Sequence, residues 1–314
     1  MKIVILNGLG NEAVLSCINS MLKTTNCKDF DIYIIRERNS RETTLNEAIQ
    51  QIGSDDDILF VGDDIQFTPG WIEALQKNWD SAEILGMGMC YPNTERIQDR
   101  GYDLVDIDER IVLEPRDRGC NIHSVKPFFV RACDSLCGCF FLVKKEVFKC
   151  ISRFSEDGMN RWGEFIFMAE ARRAGFRTAV IDHYLFHSGH GTKSNLDIKL
   201  SSISYQIEKS YWEIIIKKYI KPEWVGIKRD TIINVELLQR LLNYKRILIY
   251  GVGTVTEFLV KKLKNNIEYI DFCSGLPEEI GFPFQGKVVL DVKEIDPKKY
   301  DWILFTPLNI GEEL

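Results

Sequence analysis

Two adjacent carboxylates, Asp63 and Asp64, close the apolar segment Leu59-Phe60-Val61-Gly62 and stand just ahead of Pro69-Gly70-Trp71. Carboxylate oxygens in a turn that leaves a buried strand suit Mg2+ or Mn2+, which keep open positions for phosphate oxygens. Glu164 stands at the start of a predicted helix, where the dipole favours its ionised form, and an ionised carboxylate can take the proton of an attacking hydroxyl. His187 carries an imidazole able to ligate a cation or donate to a phosphate oxygen. Farther on, Gly251-Val252-Gly253 sits between a predicted strand and a predicted helix, with Asp271 about twenty residues later, the layout of a dinucleotide fingerprint. Thr256 takes the place of its third glycine. The nine cysteines are odd in number and lack paired CxxC spacing. Cys137 and Cys139 therefore read as small buried apolar residues in place of zinc ligands, as does Cys120 near His123.

The elements that must position these residues follow from hydrophobic period. Residues 2–7, 31–35 and 57–61 read as buried strands and residues 11–24 and 42–52 as amphipathic helices, a βαβαβ unit with right-handed crossovers and parallel strands. Ligands of such open sheets gather beyond the carboxyl ends of the strands, which puts Asn7, Glu37 and Asp64 on one edge. A helix is expected from Trp71, strands over 84–89, 136–143 and 178–181, a helix over 162–174 stopped by Gly175, and a long helix over 196–219. Residues 92–125 read as an irregular loop or a small hairpin excursion. A second alternating unit has strands at 247–250, 267–272 and 302–305 and a helix at 254–264. The expected division is 1–220, a linker with helix at 221–245, and 246–314.

Composition excludes several classes. The 314 residues are 45% apolar and 27% charged, an ordinary folded globule with material for two domains. A net charge of -6 and the lack of a dense basic tract argue against nucleic acid as a partner. The densest apolar run falls far short of the roughly 18 residues that cross a bilayer, which leaves room only for peripheral membrane contact. Cysteine usage and a first strand directly after Met1 give a cytoplasmic expectation.

Four stretches, in order, resemble the glycosyltransferases of the GT-A fold, particularly inverting family two. Gly62-Asp63-Asp64 with Pro69-Gly70-Trp71 looks like the metal-binding turn, with Asp64 on the retained carboxylate, Gly62 in place of the first and Asp63 in the middle of the triplet. Glu37 falls where the family has an acidic residue contacting the nucleotide base. Cys137-Gly138-Cys139-Phe140-Phe141 looks like the acceptor-side strand, where Gly138 permits close backbone approach. Counting back from Gly175 puts Gly163 and Glu164 on the Glu-Asp pair whose second member is the general base, and His187 lies where a histidine near metal and diphosphate is frequent. His183 and His190 are neighbours that could be confused with it.

The resemblance implies an α/β protein: a GT-A type mixed sheet flanked by helices, followed by a small Rossmann-like unit. It implies a glycosyltransferase that moves sugar from a nucleotide-diphosphate donor to a glycan, lipid-linked or protein hydroxyl, with inversion and with Mn2+ or Mg2+, in glycan synthesis. In that reading Glu164 is catalytic, Asn7, Glu37, Asp63 and Gly138 bind the sugar nucleotide, and Asp64 and His187 hold metal. Gly251, Gly253 and Asp271 form a second nucleotide site, or the C-terminal unit serves docking or oligomer formation. Two alternatives stay open: an oxidoreductase or sensor centred on the GxG turn, and a noncatalytic carbohydrate-binding or assembly protein.

Overall fold

A computed structural model describes residues 1–25, 30–37, 40–107, 110–158, 162–188, 205–229, 244–252, 254–263, 267, 269–274, 280–281 and 283–305. Gly253, His190 and residues 196–204 of the expected long helix lie outside these. The chain divides into two compact units, one of Met1–Asp106, Arg110–Thr192 and Ile215–Ile227, the other of Ile107–Glu109, Lys193–Ile214 and Lys228–Leu314.

The first unit is built on a mixed sheet. Strand β1 (Lys2–Asn7) is followed by helix α1 (Asn11–Lys23), β2 (Asp31–Arg36), α2 (Arg41–Ile52) and β3 (Ile58–Gly62). β1 pairs in parallel with both β2 and β3, the expected βαβαβ unit. Next come β4 (Ile65–Gln66), α3 (Trp71–Lys77), β5 (Ile84–Cys90), β6 (Ile97–Asp99), β7 (Tyr102–Ile107), β8 (Arg110–Pro115), β9 (Val130–Ala132) and β10 (Phe140–Val143). Helices α4 (Lys145–Cys150) and α5 (Gly163–Arg173) then lead to β11 (Thr178–His187), and β12 (Ile227–Arg229) follows farther along the chain. The sheet order is β2-β1-β3-β10-β5-β11-β4, with β6 on β5 and β9 on β11. β10 is antiparallel to both β3 and β5, while β11 is parallel to β5. Hence β2, β1, β3, β5 and β11 point one way and β10 alone is reversed among them, the mixed α/β sheet expected of a GT-A type fold.

Strand alternation explains why both faces are covered. Ile3, Ile5, Leu59, Val61, Phe140 and Leu142 face the core shared with Val14, Cys17 and Met21 of α1 and Trp71 and Leu75 of α3. Val4, Leu6, Ile58, Phe60, Phe141 and Val143 face the opposite core, with Leu45 and Ile49 of α2 and Phe167 of α5. There Phe60 stacks on Phe141 at 5.1 Å between ring centroids and Phe154 on Phe167 at 4.3 Å. Each such fully buried side chain stabilises by about 1.5–3 kcal/mol over exposure. Gly53 ends α2 at φ +79°, a left-handed value that costs a glycine nothing.

The structure sharpens three expectations for this unit. Of the two alternatives for residues 92–125 it has the hairpin excursion, β7 paired with β8, preceded by the short β6. Only Phe140–Val143 of 136–143 is strand, because Cys137-Gly138-Cys139 forms a turn before it. β11 runs on from Ile181 to His187 through a bulge at Asp182-His183, whose polar residues hide the continuation. Asp182 accepts from the buried Arg100 at 3.0 Å, and His183 meets Thr68 Oγ1 at 2.9 Å. The hydroxyl of Thr68 donates to Tyr184 O at 2.6 Å, so its oxygen accepts from His183 Nε2–H and His183 is a structural residue.

The second unit has its own four-stranded sheet in the order β17 (Leu290–Asp291), β14 (Tyr269–Ser274), β13 (Arg246–Tyr250), β18 (Trp302–Phe305), all parallel. Leu259, Val260 and Leu263 of helix Thr254–Leu263 pack on Ile247, Ile249 and Phe272. This is the Rossmann-like alternation expected, with a small hairpin, β15 (Pro283–Phe284) and β16 (Lys287–Val288), that the sequence does not announce.

Candidate functional site

The carboxyl edge of the first sheet collects every site residue proposed for this unit, and strand direction is the reason. β1, β2 and β3 end there at Asn7, Arg36 and Gly62, and β11 ends there at His187. Reversed β10 begins there, so the turn ahead of it, Cys137–Cys139, reaches the same edge. Helix α2, which follows β2, and α5, which runs back ahead of β11, start there too, and this brings in Arg41 and Glu164.

Asp64 and His187 meet through β4. His187 pairs with Ile65 on the antiparallel β4–β11 ladder, and Ser188 N donates to Asp64 O. His187 Nε2 then lies 3.2 Å from Asp64 Oδ2, both side chains nearly buried. Gln98 Oε1 stands 2.8 Å from His187 Nδ1 and fixes the ring. Burial pushes the Asp64 carboxyl up, but the hydrogen bond and charge of His187 outweigh it and hold it below its ordinary value. Burial likewise opposes charge on His187, and Asp64, with Cys137 and Asp99, raises it to about 9. Gly62 fits this geometry, because a Cβ there would stand 2.9 Å from Asp64 Oδ1.

Asp63 and Asn7 serve the turn after β1. Asp63 Oδ2 accepts from Gly8 N at 2.8 Å and Leu9 N at 2.6 Å, and Asn7 Oδ1 accepts from Gly10 N at 3.0 Å. Burial leaves the Asp63 carboxyl raised despite these amides. The structure thus turns both residues, expected to hold sugar nucleotide, toward the backbone of Gly8–Gly10.

Around Glu164 the organising residue is Arg41, which sequence reasoning missed. Its Nε donates to Glu164 Oε1 at 2.5 Å, its Nη2 donates to Gly138 O at 2.5 Å, and Nη1 lies 3.9 Å from Glu37 Oε1. Burial alone would lower the guanidinium, but Glu164 and Glu37 raise it further and keep it charged. Gly138 packs tightly here: a Cβ would fall 2.4 Å from Glu164 Oε1, so any side chain would have to push that carboxylate aside. Gly163 is equally confined, its Cβ position lying 2.1 Å from Glu42 Cγ. The only sequence signal for Arg41 was its place four residues after Glu37, at the first turn of a helix.

The Cys-Gly-Cys turn joins the two clusters. Cys137 Sγ and Cys139 Sγ are 3.0 Å apart, both are free thiols, and with His187 their ligand atoms all lie within 4.8 Å of one another. The hydrogen bond from Cys139 holds the Cys137 thiol below its ordinary value against the effect of burial, helped by the charges of His187 and Arg41, whereas burial pushes Cys139 up. Mg2+ asks for a cage of oxygens, but the donors gathered around His187 are one carboxylate, the imidazole itself and two thiols. The donors do not fit Mg2+, and the sulfur atoms make them a poor fit for Mn2+.

In the second unit the predicted constellation is rearranged. Gly251 has φ +92°, and Thr256 Oγ1 donates to Gly251 O at 2.8 Å, so the threonine closes the turn from inside. Asp271 stands opposite Leu248 within β14, not at the strand end expected, because β14 runs on to Ser274. Its oxygens accept from Lys287 Nζ at 3.0 Å and Tyr300 OH at 2.8 Å. No helix among the described residues is long and apolar enough to cross a membrane.

The chain was compared with known proteins. A family model described as C2185-like, N-terminal, matches residues 243–314, less than half of the chain. Among curated proteins no match was found. Similar solved structures include GalNAc-T7 with UDP, GalNAc and Mn2+, at 12% identity and a TM-score of 0.45, covering 69% of this chain and 47% of that one. TarS 1-349 of S. aureus in complex with UDP-GlcNAc is 11% identical at a TM-score of 0.42, covering 72% and 73%. The inositol-1-phosphate CTP transferase of T. maritima is 12% identical at a TM-score of 0.36, covering 69% and 96%. The chain thus spans about half the length of the GalNAc-T7 structure it matches, and its likeness to all three is one of fold alone.

Proposed function

We propose that the first unit is a sugar-nucleotide-dependent glycosyltransferase that inverts the donor's anomeric centre as it transfers the sugar to a hydroxyl of a growing glycan. The observation that carries this reading is the meeting of Glu164, Arg41 and Glu37 with Asp64 and His187 on one carboxyl edge, bridged by the Cys137–Cys139 turn. Open α/β sheets bind nucleotides along such an edge. In this reading Glu37, on the side of β1 and β2, meets the nucleoside, and Asp64 and His187 meet the diphosphate. In an inverting displacement the acceptor oxygen attacks the anomeric carbon, the bond to the diphosphate breaks, and a carboxylate takes the acceptor's proton. Glu164 is that base. Arg41 holds its Oε1 and also clasps the Gly138 carbonyl, which fixes where the carboxylate stands. No step is assigned to Mn2+ or Mg2+, whose fit is poor.

The test is a panel of sugar nucleotides with product analysis, run on the intact chain and on Glu164→Gln. The variant keeps an oxygen for Arg41 but cannot take the proton, so turnover should fall about 100 to 10,000-fold with donor affinity nearly unchanged. Near-normal transfer, or a product that retains configuration, would remove Glu164 from the role. The noncatalytic carbohydrate-binding reading draws on one observation, the ion pair that already occupies Glu164. Donor binding without transfer or hydrolysis in the panel would favour it. For the C-terminal unit, the engagement of Asp271 by Lys287 and Tyr300 supports docking over a second nucleotide site.

A further inference from the structure

We infer that Cys137, Cys139 and His187 form the ligand set for a single Zn2+-class cation, with Asp64, beside His187, closing in as fourth donor once the ion is bound. The inference does not depend on sugar transfer, although its residues belong to the same edge.

Four features carry it. First, the two sulfurs and the histidine ligand atom lie within 4.8 Å of one another, although they come from the turn before β10 and the end of β11. Secondly, Asp64 Oδ2 lies 3.2 Å from His187 Nε2, near the roughly 3.3–3.4 Å that tetrahedral bonds of about 2.0–2.1 Å set between two such donors, and its carboxylate has only to approach the sulfurs to complete the four. Thirdly, Gln98 Oε1 sits on His187 Nδ1, the outer-shell contact that fixes a ligating imidazole and leaves Nε2 to the ion. Fourthly, Gly62 leaves Asp64 Oδ1 room that a Cβ, 2.9 Å away, would crowd. Sulfurs bound to one zinc ion lie about 3.7 Å apart, so the thiols, now 3.0 Å apart, must separate slightly as the ion enters. Each gives its proton to solvent and binds as thiolate, so loading releases acid.

Donor chemistry sets the ion. Two thiolates, an imidazole and one carboxylate favour zinc or cobalt over magnesium by ligand softness and by the order of divalent affinities. The chelator-stripped, reduced full-length chain should take up one equivalent of Co2+, giving a thiolate-to-cobalt charge-transfer band in the near ultraviolet and the strong visible bands of a tetrahedral ion. Equimolar Zn2+ should bleach both, and excess Mg2+ should leave them unchanged. Cys137→Ser and Cys139→Ser should each abolish the near-ultraviolet band, while Cys120→Ser and Cys150→Ser, at exposed thiols away from the cluster, should keep it. Gln98→Leu should weaken binding about 10 to 100-fold.

A second readout needs no variant. Zn2+ should shield the peptide carrying Cys137 and Cys139 from alkylation while Cys120 and Cys150 react. No uptake of cobalt, uptake without a thiolate band, or a band that survives the double Cys137→Ser, Cys139→Ser substitution would overturn the inference, and so would unshielded alkylation. None of these measurements uses a sugar nucleotide, so a chain that binds zinc but transfers nothing separates this inference from the functional one.

Discussion

Gly138 and Glu164 are locked in contact: the carboxylate of Glu164 occupies the space a side chain at 138 would need, and Arg41 holds both the Gly138 carbonyl and the Glu164 carboxylate. Main chain of one loop and side chain of a distant helix therefore define one surface.

Gly138→Ala should accordingly displace Glu164 while leaving the sheet intact. Overpacking of this kind costs about 1–3 kcal/mol, and a base moved by an ångström costs about 100-fold in rate. Calorimetry should show a modestly lowered Tm, and initial rates a far larger loss. A variant with full activity would mean that the position of Glu164 is immaterial.

Asp63 and Asp64, adjacent in sequence, should fail in different ways. Asp64→Ala should cut nucleotide affinity, measured by calorimetry, and also lower Tm, because it strips the nearly buried His187 of its partner. Asp63→Ala leaves the amides of Gly8 and Leu9 without their acceptor, which should cost about 1–3 kcal/mol of stability. Asp63→Asn presents an amide oxygen to the same two donors and should recover most of that loss. Equal effects of the two alanine variants on binding would reverse the assignment.

Acid should reveal one pair clear of the site. Glu83 is bonded to Arg177 through side chain and backbone, and this hydrogen bonding outweighs burial to hold its carboxyl below the ordinary value. A folded-state value below the unfolded one means a contribution present above the unfolded pKa and lost as pH falls through the folded pKa. Glu83→Gln should therefore lower Tm near neutrality, with the gap to the parent chain closing as the medium is acidified below the ordinary carboxylate range. A gap that stays constant with pH would exclude the linkage.

The first unit is proposed to be separable, with its cut after Ile227. Arg173 Nη2 donates to the carbonyls of Lys218 and Tyr219, Tyr219 OH donates to Asp157 Oδ2 at 2.8 Å, and Arg172 lies 4.7 Å over the Trp224 ring. A chain ending at 227 should bind nucleotide as the full chain does, and one ending at 214 should melt lower. A soluble 227 truncate without nucleotide binding would count against independence.

Much of this fold is legible in the sequence where apolar runs are long. Lys2–Asn7 and Ile58–Gly62 alternate two cores, and their neighbours Asn11–Lys23 and Arg41–Ile52 carry the helical period. What stayed hidden depends on partners far along the chain. β4 is two residues long and has meaning only against β11, yet it is what joins Asp64 to His187. Cys137 and Cys139 lack a second cysteine pair nearby, and the residue that joins them lies at the far end of β11, so local spacing argues for apolar burial while the fold brings the two sulfurs and the imidazole together. Arg41 looks like an ordinary helix-start charge until Glu164 arrives from α5. Asp271 has the spacing of a ribose ligand, but spacing does not register that Lys287 and Tyr300 claim its oxygens.

The reversal of β10 has a bearing on how the molecule is proofread. Because that strand enters between β3 and β5, the Cys-Gly-Cys turn reaches His187 and Glu164 only after both neighbouring strands are registered. Pairings so distant in sequence form late and slowly. A misregistered chain would present Asp64, His187 and the thiols separately, with no common ligand. Any cation or nucleotide captured at this edge therefore binds the finished sheet in preference to its precursors. It should stabilise the sheet according to RT ln(1 + [L]/Kd), so that occupancy itself becomes the signal that assembly has been completed.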